Sequence, residues 1–205
     1  MHYATLLEVY QALEKTTKRL EKATILAKLF KQTPVEDLKE IVYLAQGRVF
    51  PGWSEEKIGF SDKILIKTLA HVYGTTTTAI EKAWGTTGDL GKVAQQLATK
   101  KNQQTLFNEP LTTHKVFSNI RKLARLQGIG TVNKKVQLVS ELLSNATPAE
   151  TRFIVGTVLE VLRIGVAEGI IRDALAEAFN LAAEDIEKAN DMLVDYGAIA
   201  ELAAQ

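Results

Sequence analysis

The chain of 205 residues is 46% hydrophobic and 24% charged, enough apolar material for a substantial core in one large or two small domains. It has no cysteine, which excludes disulfides, thiolate metal sites and thiol nucleophiles, and its histidines at 2, 71 and 114 have no metal-ligand spacing. The net charge is +1, no apolar run reaches the length of a membrane span, and Met1-His2-Tyr3-Ala4 lacks a signal-peptide pattern, so a cytoplasmic protein without a membrane partner is expected.

Apolar residues recur at steps of three and four almost throughout, first at Leu6, Val9, Tyr10 and Leu13, then at Leu20, Ile25, Leu26, Leu29 and Phe30. Gln32-Thr33-Pro34 then stops one helix and starts another, with Thr33 to Glu36 reading as a capping box. Further breaks fall at Pro51-Gly52-Trp53-Ser54, at Gly74 with its four threonines, and from Gly85 to Gly91. The polar stretch from Thr99 to Thr113, which includes Asn108-Glu109-Pro110, lacks helical periodicity and reads as an exposed connector. Gly128-Ile129-Gly130-Thr131 opens the helix that carries Val136, Val139, Leu142 and Leu143, and Asn145-Ala146-Thr147-Pro148 closes it with a second capping box, Thr147 to Glu150. An apolar helix through Phe153, Ile154, Val158 and Leu162 is followed by a glycine-containing turn and a helix from Ile170 to Phe179. The expected fold is all-α, with about ten to twelve short helices.

Residues 58 to 98 reappear at an offset of 106, with 13 identities in 41 positions, among them Ile80-Glu81-Lys82-Ala83 on Ile186-Glu187-Lys188-Ala189, Asp89 on Asp195 and Gly91 on Gly197. The chain therefore divides into a repeat A of about 20–98, a connector at 99–113 and a repeat B of about 114–205, within one domain of 1–205. Two such copies are expected to lie about a pseudo-two-fold axis, as the two backbones of duplex DNA do.

Charge is unevenly distributed. Residues 100 to 135 carry eight basic side chains against the single acid Glu109, whereas residues 136 to 205 carry four basic and twelve acidic ones. A one-sided basic footprint recruits polyanions by displacing their counterions, although a solvated helix face has the same composition. No phosphate-binding loop, nucleophile elbow or metal motif is present, and paired acids such as Glu55-Glu56 and Glu184-Asp185 sit at helix starts, where they favour the macrodipole.

The segments with chemical potential are turns. Leu162-Arg163-Ile164-Gly165-Val166-Ala167-Glu168-Gly169 leads into a helix N-terminus, whose unpaired N–H groups suit a phosphate, and Arg163 adds a bidentate donor. Lys57-Ile58-Gly59-Phe60-Ser61-Asp62-Lys63 is its counterpart in the first copy. Taken singly, each is also an ordinary helix connector; the repetition favours phosphate. A third turn, Gly128-Ile129-Gly130-Thr131, is followed by Lys134 and Lys135 near a helix start, where the macrodipole disfavours cations unless an outside anion is bound. Thr131 is a candidate cap for that helix, and Arg121, Lys122 and Arg125 close the preceding one.

Three blocks together resemble the N-terminal DNA-binding domain of archaeal-type ATP-dependent DNA ligases: Gly85-Thr86-Thr87-Gly88-Asp89-Leu90-Gly91-Lys92-Val93-Ala94; Val116 to Ala124 with Gly128 to Thr131 and Lys134-Lys135; and Arg152-Phe153-Ile154 running into Leu162 to Gly169. The resemblance implies an all-helical domain that grips the minor groove around a nick in duplex DNA and assists the catalytic domains of the same parent chain. Carried over by position, phosphate contacts fall on Arg163, Gly165 and Ala167, with Gly59 and Ser61 as first-copy counterparts; the turns and basic residues read above add Gly169, Lys63, Arg121, Gly128, Gly130, Thr131, Lys134 and Lys135 as candidate DNA-binding residues. The family has Gly-Lys in some members where this chain has Glu160-Val161, and Ser where it has Thr131. Its adenylated Lys-x-Asp-Gly motif is absent, so the chain is expected to hold no cofactor and to be non-catalytic alone, with ATP and magnesium belonging to the parent enzyme of a prokaryotic, archaeal cell. Gln103-Gln104-Thr105-Leu106-Phe107 resembles the motif that plugs into the sliding clamp (PCNA), with Gln103, Leu106 and Phe107 as anchors. The competing expectation is a helical protein-interaction scaffold without DNA binding.

Overall fold

The computed structural model describes residues 1–100, 109–126, 128, 130–162 and 164–205. Among the described residues the chain forms twelve helices and no strand beyond a single antiparallel bridge between His2 and Thr112, so the fold is all-α. It condenses into two compact units. One comprises Thr5–Glu56 and Arg163–Gln205 together with Met1; the other comprises Lys57–Leu162 with His2–Ala4.

The first unit contains α1 (Tyr3–Glu14), α2 (Arg19–Gln32), α3 (Val35–Ala45), α10 (Glu168–Phe179), α11 (Ala183–Leu193) and α12 (Tyr196–Ala203). Here α10 packs along α2, and α12 packs against α3. Leu26, Phe30, Ile41, Ile171, Leu175 and Ile199 are buried between them, which gives the three-and-four spacing of the sequence its physical cause. Two tyrosines bury their rings and place their hydroxyls on acceptors. Tyr10 donates to the Leu44 carbonyl at 2.8 Å, and Tyr43 donates to the Asp195 carboxylate at 2.8 and 2.9 Å.

The second unit contains α4 (Asp62–Tyr73), α5 (Thr77–Thr87), α6 (Leu90–Lys100), α7 (Thr113–Arg125), α8 (Thr131–Asn145) and α9 (Pro148–Val158). In it α4 packs against α8, α6 against α9 and α7 against α8, around Leu65, Leu69, Val93, Phe117, Ile120, Leu142 and Phe153.

Helix limits recur at the offset read from the sequence: 62–73 against 168–179, and 77–87 against 183–193. Left-handed residues recur with them, as Gly59 and Gly165 (φ 61° and 67°), Gly74 and Asn180 (62° and 54°), and Gly88 and Val194 (68° and 50°). The compact units, however, cut across the two sequence copies. Each joins the three-helix run of one copy to the helix pair of the other, so that α4 with α8 and α6 with α9 repeat the pairing of α10 with α2 and α12 with α3. At the α6–α9 crossing a Cβ on Gly91 would lie 3.0 Å from the Arg152 carbonyl, and at the α12–α3 crossing one on Gly197 would lie 2.7 Å from the Tyr43 ring.

Two capping expectations fare differently. Thr147 forms the full box, accepting from the Glu150 N–H while the Glu150 carboxylate accepts from the Thr147 N–H at 2.8 Å. Thr33 does not. It is buried at the end of α2, and its hydroxyl donates to the Leu29 carbonyl at 2.7 Å, which takes it away from α3. The pattern is the same in both segments; the preceding helix claims the hydroxyl in one of them.

Candidate functional site

Within the second unit the fold brings together two of the turns singled out from the sequence. Ile58 anchors its turn in the core at 1% exposure, Gly59 follows in the left-handed region, and Ser61 caps α4 by accepting from the Ile64 N–H at 3.4 Å. Lys63 is exposed in the first turn of that helix. From α8, Lys135 crosses to this turn and donates from Nζ to the Gly59 carbonyl at 3.0 Å. Gly128 and Gly130 both have positive φ (97° and 82°), and Gly130 is the N-cap of α8 with no side-chain cap. Thr131 was expected to cap this helix. It is instead the first helical residue, and its hydroxyl donates backwards to the Gly128 carbonyl at 2.8 Å, which leaves the helix N-terminus open.

The basic side chains of α7 separate into two groups. Arg121 is half-buried, its guanidinium 5.3 Å from the centre of the Phe117 ring. Lys122 and Arg125 join Lys134 around a groove of about 410 Å³ between α7 and α8, over Leu126 and Leu138. Glu141 also lines this groove. A hydrogen bond from Lys115 at 2.5 Å, assisted by one from Asn119, holds its carboxyl below the usual carboxylate range, so it stays ionised among the cations.

In the first unit the turn from Ile164 to Gly169 has the same construction. Gly165 is left-handed, and Ala167 is the N-cap of α10 and has no side chain to cap with. Gly169 occupies the second helical position. Two residues that the sequence reading passed over hold this turn from α2. Lys22, only 7% exposed, donates from Nζ to the carbonyls of Ile164 (2.8 Å) and Gly165 (3.1 Å). Arg19 reaches the Gly169 carbonyl at 3.4 Å and the Asp173 carboxylate at 2.6 Å. A usable signal for Lys22 lay in the helix register. Setting the buried Leu26, Leu29 and Phe30 of α2 on Val139, Leu142 and Leu143 of α8 requires an offset of 113, and that offset puts Lys22 on Lys135. The Thr-Pro match alone gives 114 and hides the pair. Arg163 and the clamp candidates Gln103, Leu106 and Phe107 lie outside the described residues.

Chemically, both turns offer backbone N–H donors at a helix start, with a lysine bound on the carbonyl side and no acid as a cap. Among the described residues no group of three or more histidine, aspartate or glutamate side chains is arranged to hold a metal ion.

Comparison with known proteins places the chain in a family. A family model described as "DNA ligase N terminus" matches residues 2–176. Proteins named DNA ligase from Methanothermobacter thermautotrophicus, Thermococcus onnurineus and Nanoarchaeum equitans are 44%, 39% and 35% identical to the chain, over 99%, 99% and 100% of its length. The chain spans 36% of the length of each of these relatives, so it corresponds to little more than a third of such a protein. On the family match and these identities, the chain belongs to the DNA ligase N-terminus family.

Proposed function

We propose that the chain binds duplex DNA around a nick, without regard to base sequence, through phosphate and sugar contacts along the minor groove. In this reading it is the DNA-binding part of an archaeal-type, ATP-dependent DNA ligase that acts in replication, repair and recombination. One observation carries the reading: a glycine turn with a lysine on its carbonyl side occurs in each unit of a chain that belongs to this family. Donors of this kind meet phosphate oxygens and not base edges, so affinity is steeply salt-dependent and sequence preference weak. Catalysis, ATP and magnesium belong to the remainder of the parent protein, because no Lys-x-Asp-Gly motif occurs in this sequence. The expected partners are nicked duplex DNA, the catalytic domains of the parent chain and, through Gln103, Leu106 and Phe107, the sliding clamp.

Fluorescence anisotropy with nicked and intact duplexes at several salt concentrations tests this, with Arg163→Ala and the double variant Lys134→Ala/Lys135→Ala alongside. The expected result is binding that falls steeply with salt and weakens in both variants. Absence of binding at low salt refutes it and leaves the interaction scaffold, which one observation favours: Met192, Leu193, Val194 and Leu202 are large, apolar and exposed. Incubation with ATP and magnesium is expected to leave no lysyl-AMP on this polypeptide. Leu106→Ala/Phe107→Ala is expected to abolish clamp binding and spare DNA binding.

A further inference from the structure

The lysine beneath each glycine turn points to a role that extends the DNA-binding reading and rests on it. In a trans peptide the C=O and the N–H point in opposite directions. When Lys22 draws the carbonyls of Ile164 and Gly165 to its ammonium, the N–H groups of the same two peptides, on Gly165 and Val166, must point away from it. Neither of these N–H groups has a hydrogen-bond partner among the described residues. In the second unit Lys135 draws in the Gly59 carbonyl, which directs the Phe60 N–H the opposite way, again with no partner among the described residues. Glycine suits this arrangement by its positive φ, and a Cβ at 165 would also crowd the Lys22 ammonium, which would have to shift, while one at 59 would stand 3.3 Å from that of Lys135.

Lys22 is also an unusual cation. It is 93% buried, and among the described residues its ammonium bonds to carbonyls alone and no carboxylate pairs with it. A buried ammonium without a counter-ion is costly, and an arriving anion lowers that cost. The open start of α10, with alanine at its N-cap, adds a positive end to the same turn, and the exposed Glu168 is the acid in its first helical turn.

We propose that Lys22 in one unit and Lys135 in the other are positioning residues for phosphodiester: each fixes the peptides of a glycine turn so that free N–H donors face a DNA phosphate. Lys22 acts through the turn and does not itself touch the phosphate. Removing it lowers affinity without removing a counterion-displacing contact, so the slope of log K against log salt stays unchanged.

The absence of cysteine allows a chemical test. Lys22→Cys is alkylated in denaturant with 2-bromoethylamine, which restores an ammonium at nearly lysine length, or with 1-bromopropane, which gives a neutral chain of the same size. Each product is refolded, checked by circular dichroism and titrated with nicked duplex. The propylated protein is expected to bind about tenfold more weakly, equivalent to about 1.4 kcal/mol. The aminoethylated protein is expected to return to within about twofold, with all salt slopes equal. The same pair of products made from Lys135→Cys, at a more exposed position, decides the matter if the Lys22 products do not refold. Wild-type affinity in the propylated form overturns the proposal while the DNA-binding reading stands. So does a slope that falls by about 0.9, the signature of a lost direct phosphate contact. No binding by the unmodified chain overturns both.

Discussion

Asp195 and Asp89 stand at equivalent places, each capping a helix, yet their removal should have very different costs. Asp89 accepts from the Lys92 N–H at 3.1 Å, and Asp195 from the Ala198 N–H at 3.0 Å, so each cap is worth about 1 kcal/mol. Asp195 is also 8% exposed and receives the Tyr43 hydroxyl at 2.8 and 2.9 Å. A hydrogen bond to a charged, buried acceptor contributes about 1.5–3 kcal/mol, and Asp195→Ala removes that acceptor from the Tyr43 hydroxyl. Asp195→Ala should therefore cost about 3–4 kcal/mol and Asp89→Ala about 1 kcal/mol. Tyr43→Phe should cost about 2 kcal/mol alone and much less in the Asp195→Ala background, a coupling of about 1.5 kcal/mol. The two tryptophans provide the assay, since Trp53 belongs to the first unit and Trp84 to the second. Urea unfolding followed at each in single-tryptophan backgrounds, with circular dichroism in parallel, assigns each loss to its own unit. Equal costs for the two aspartates, or additive effects of Asp195 and Tyr43, would refute the reasoning.

Three further outcomes follow from the same geometry. Gly59→Ala and Gly165→Ala incur the same left-handed strain of about 1 kcal/mol, but at 165 the Cβ also displaces a buried ammonium from its carbonyls, so urea denaturation should show a total loss of about 3 kcal/mol there. Val194→Gly should raise the stability of the first unit by about 1 kcal/mol in the same assay, because a β-branched residue holds φ 50° where its counterpart is Gly88. Glu141 has a depressed carboxyl pKa, so its pairing with Lys115 contributes fully above the ordinary carboxylate value of about 4.3 and is lost as pH falls through the folded-state value. Lys115→Met should thus be less stable than wild type near neutrality and indistinguishable from it once Glu141 is protonated, as an acid titration of urea midpoints would show.

The helical class and most helix ends were legible because their causes are local. Gly74 and Gly88 terminate helices in the left-handed region, and Thr147 starts one with its capping box. Periodicity also identified the core faces of α2 and α8. Helix pairing was not legible, because an apolar stripe on α2 carries no mark that it belongs with α10, some 140 residues later. The site shared that limit. Its turns were visible as glycine and basic residues, but the side chain that orients the turn at Gly165 comes from α2, and an alignment register one residue off concealed it. Thr33 and Thr131 do not cap for a related reason: each hydroxyl donates to an upstream carbonyl, of Leu29 in α2 or of Gly128 in the turn, and does not accept from an N–H of the helix that follows.

The division of the first unit between the two ends of the chain has a consequence for biogenesis. During synthesis α2 and α3 leave the ribosome long before α10 and α12, the helices that cover them. At ordinary elongation rates their apolar faces wait on the order of ten seconds for those partners, while all helices of the other unit emerge in between. A nascent chain halted at residue 162 therefore holds the whole helical complement of the second unit and only part of the first, an exposed hydrophobic intermediate of the kind that chaperones retain.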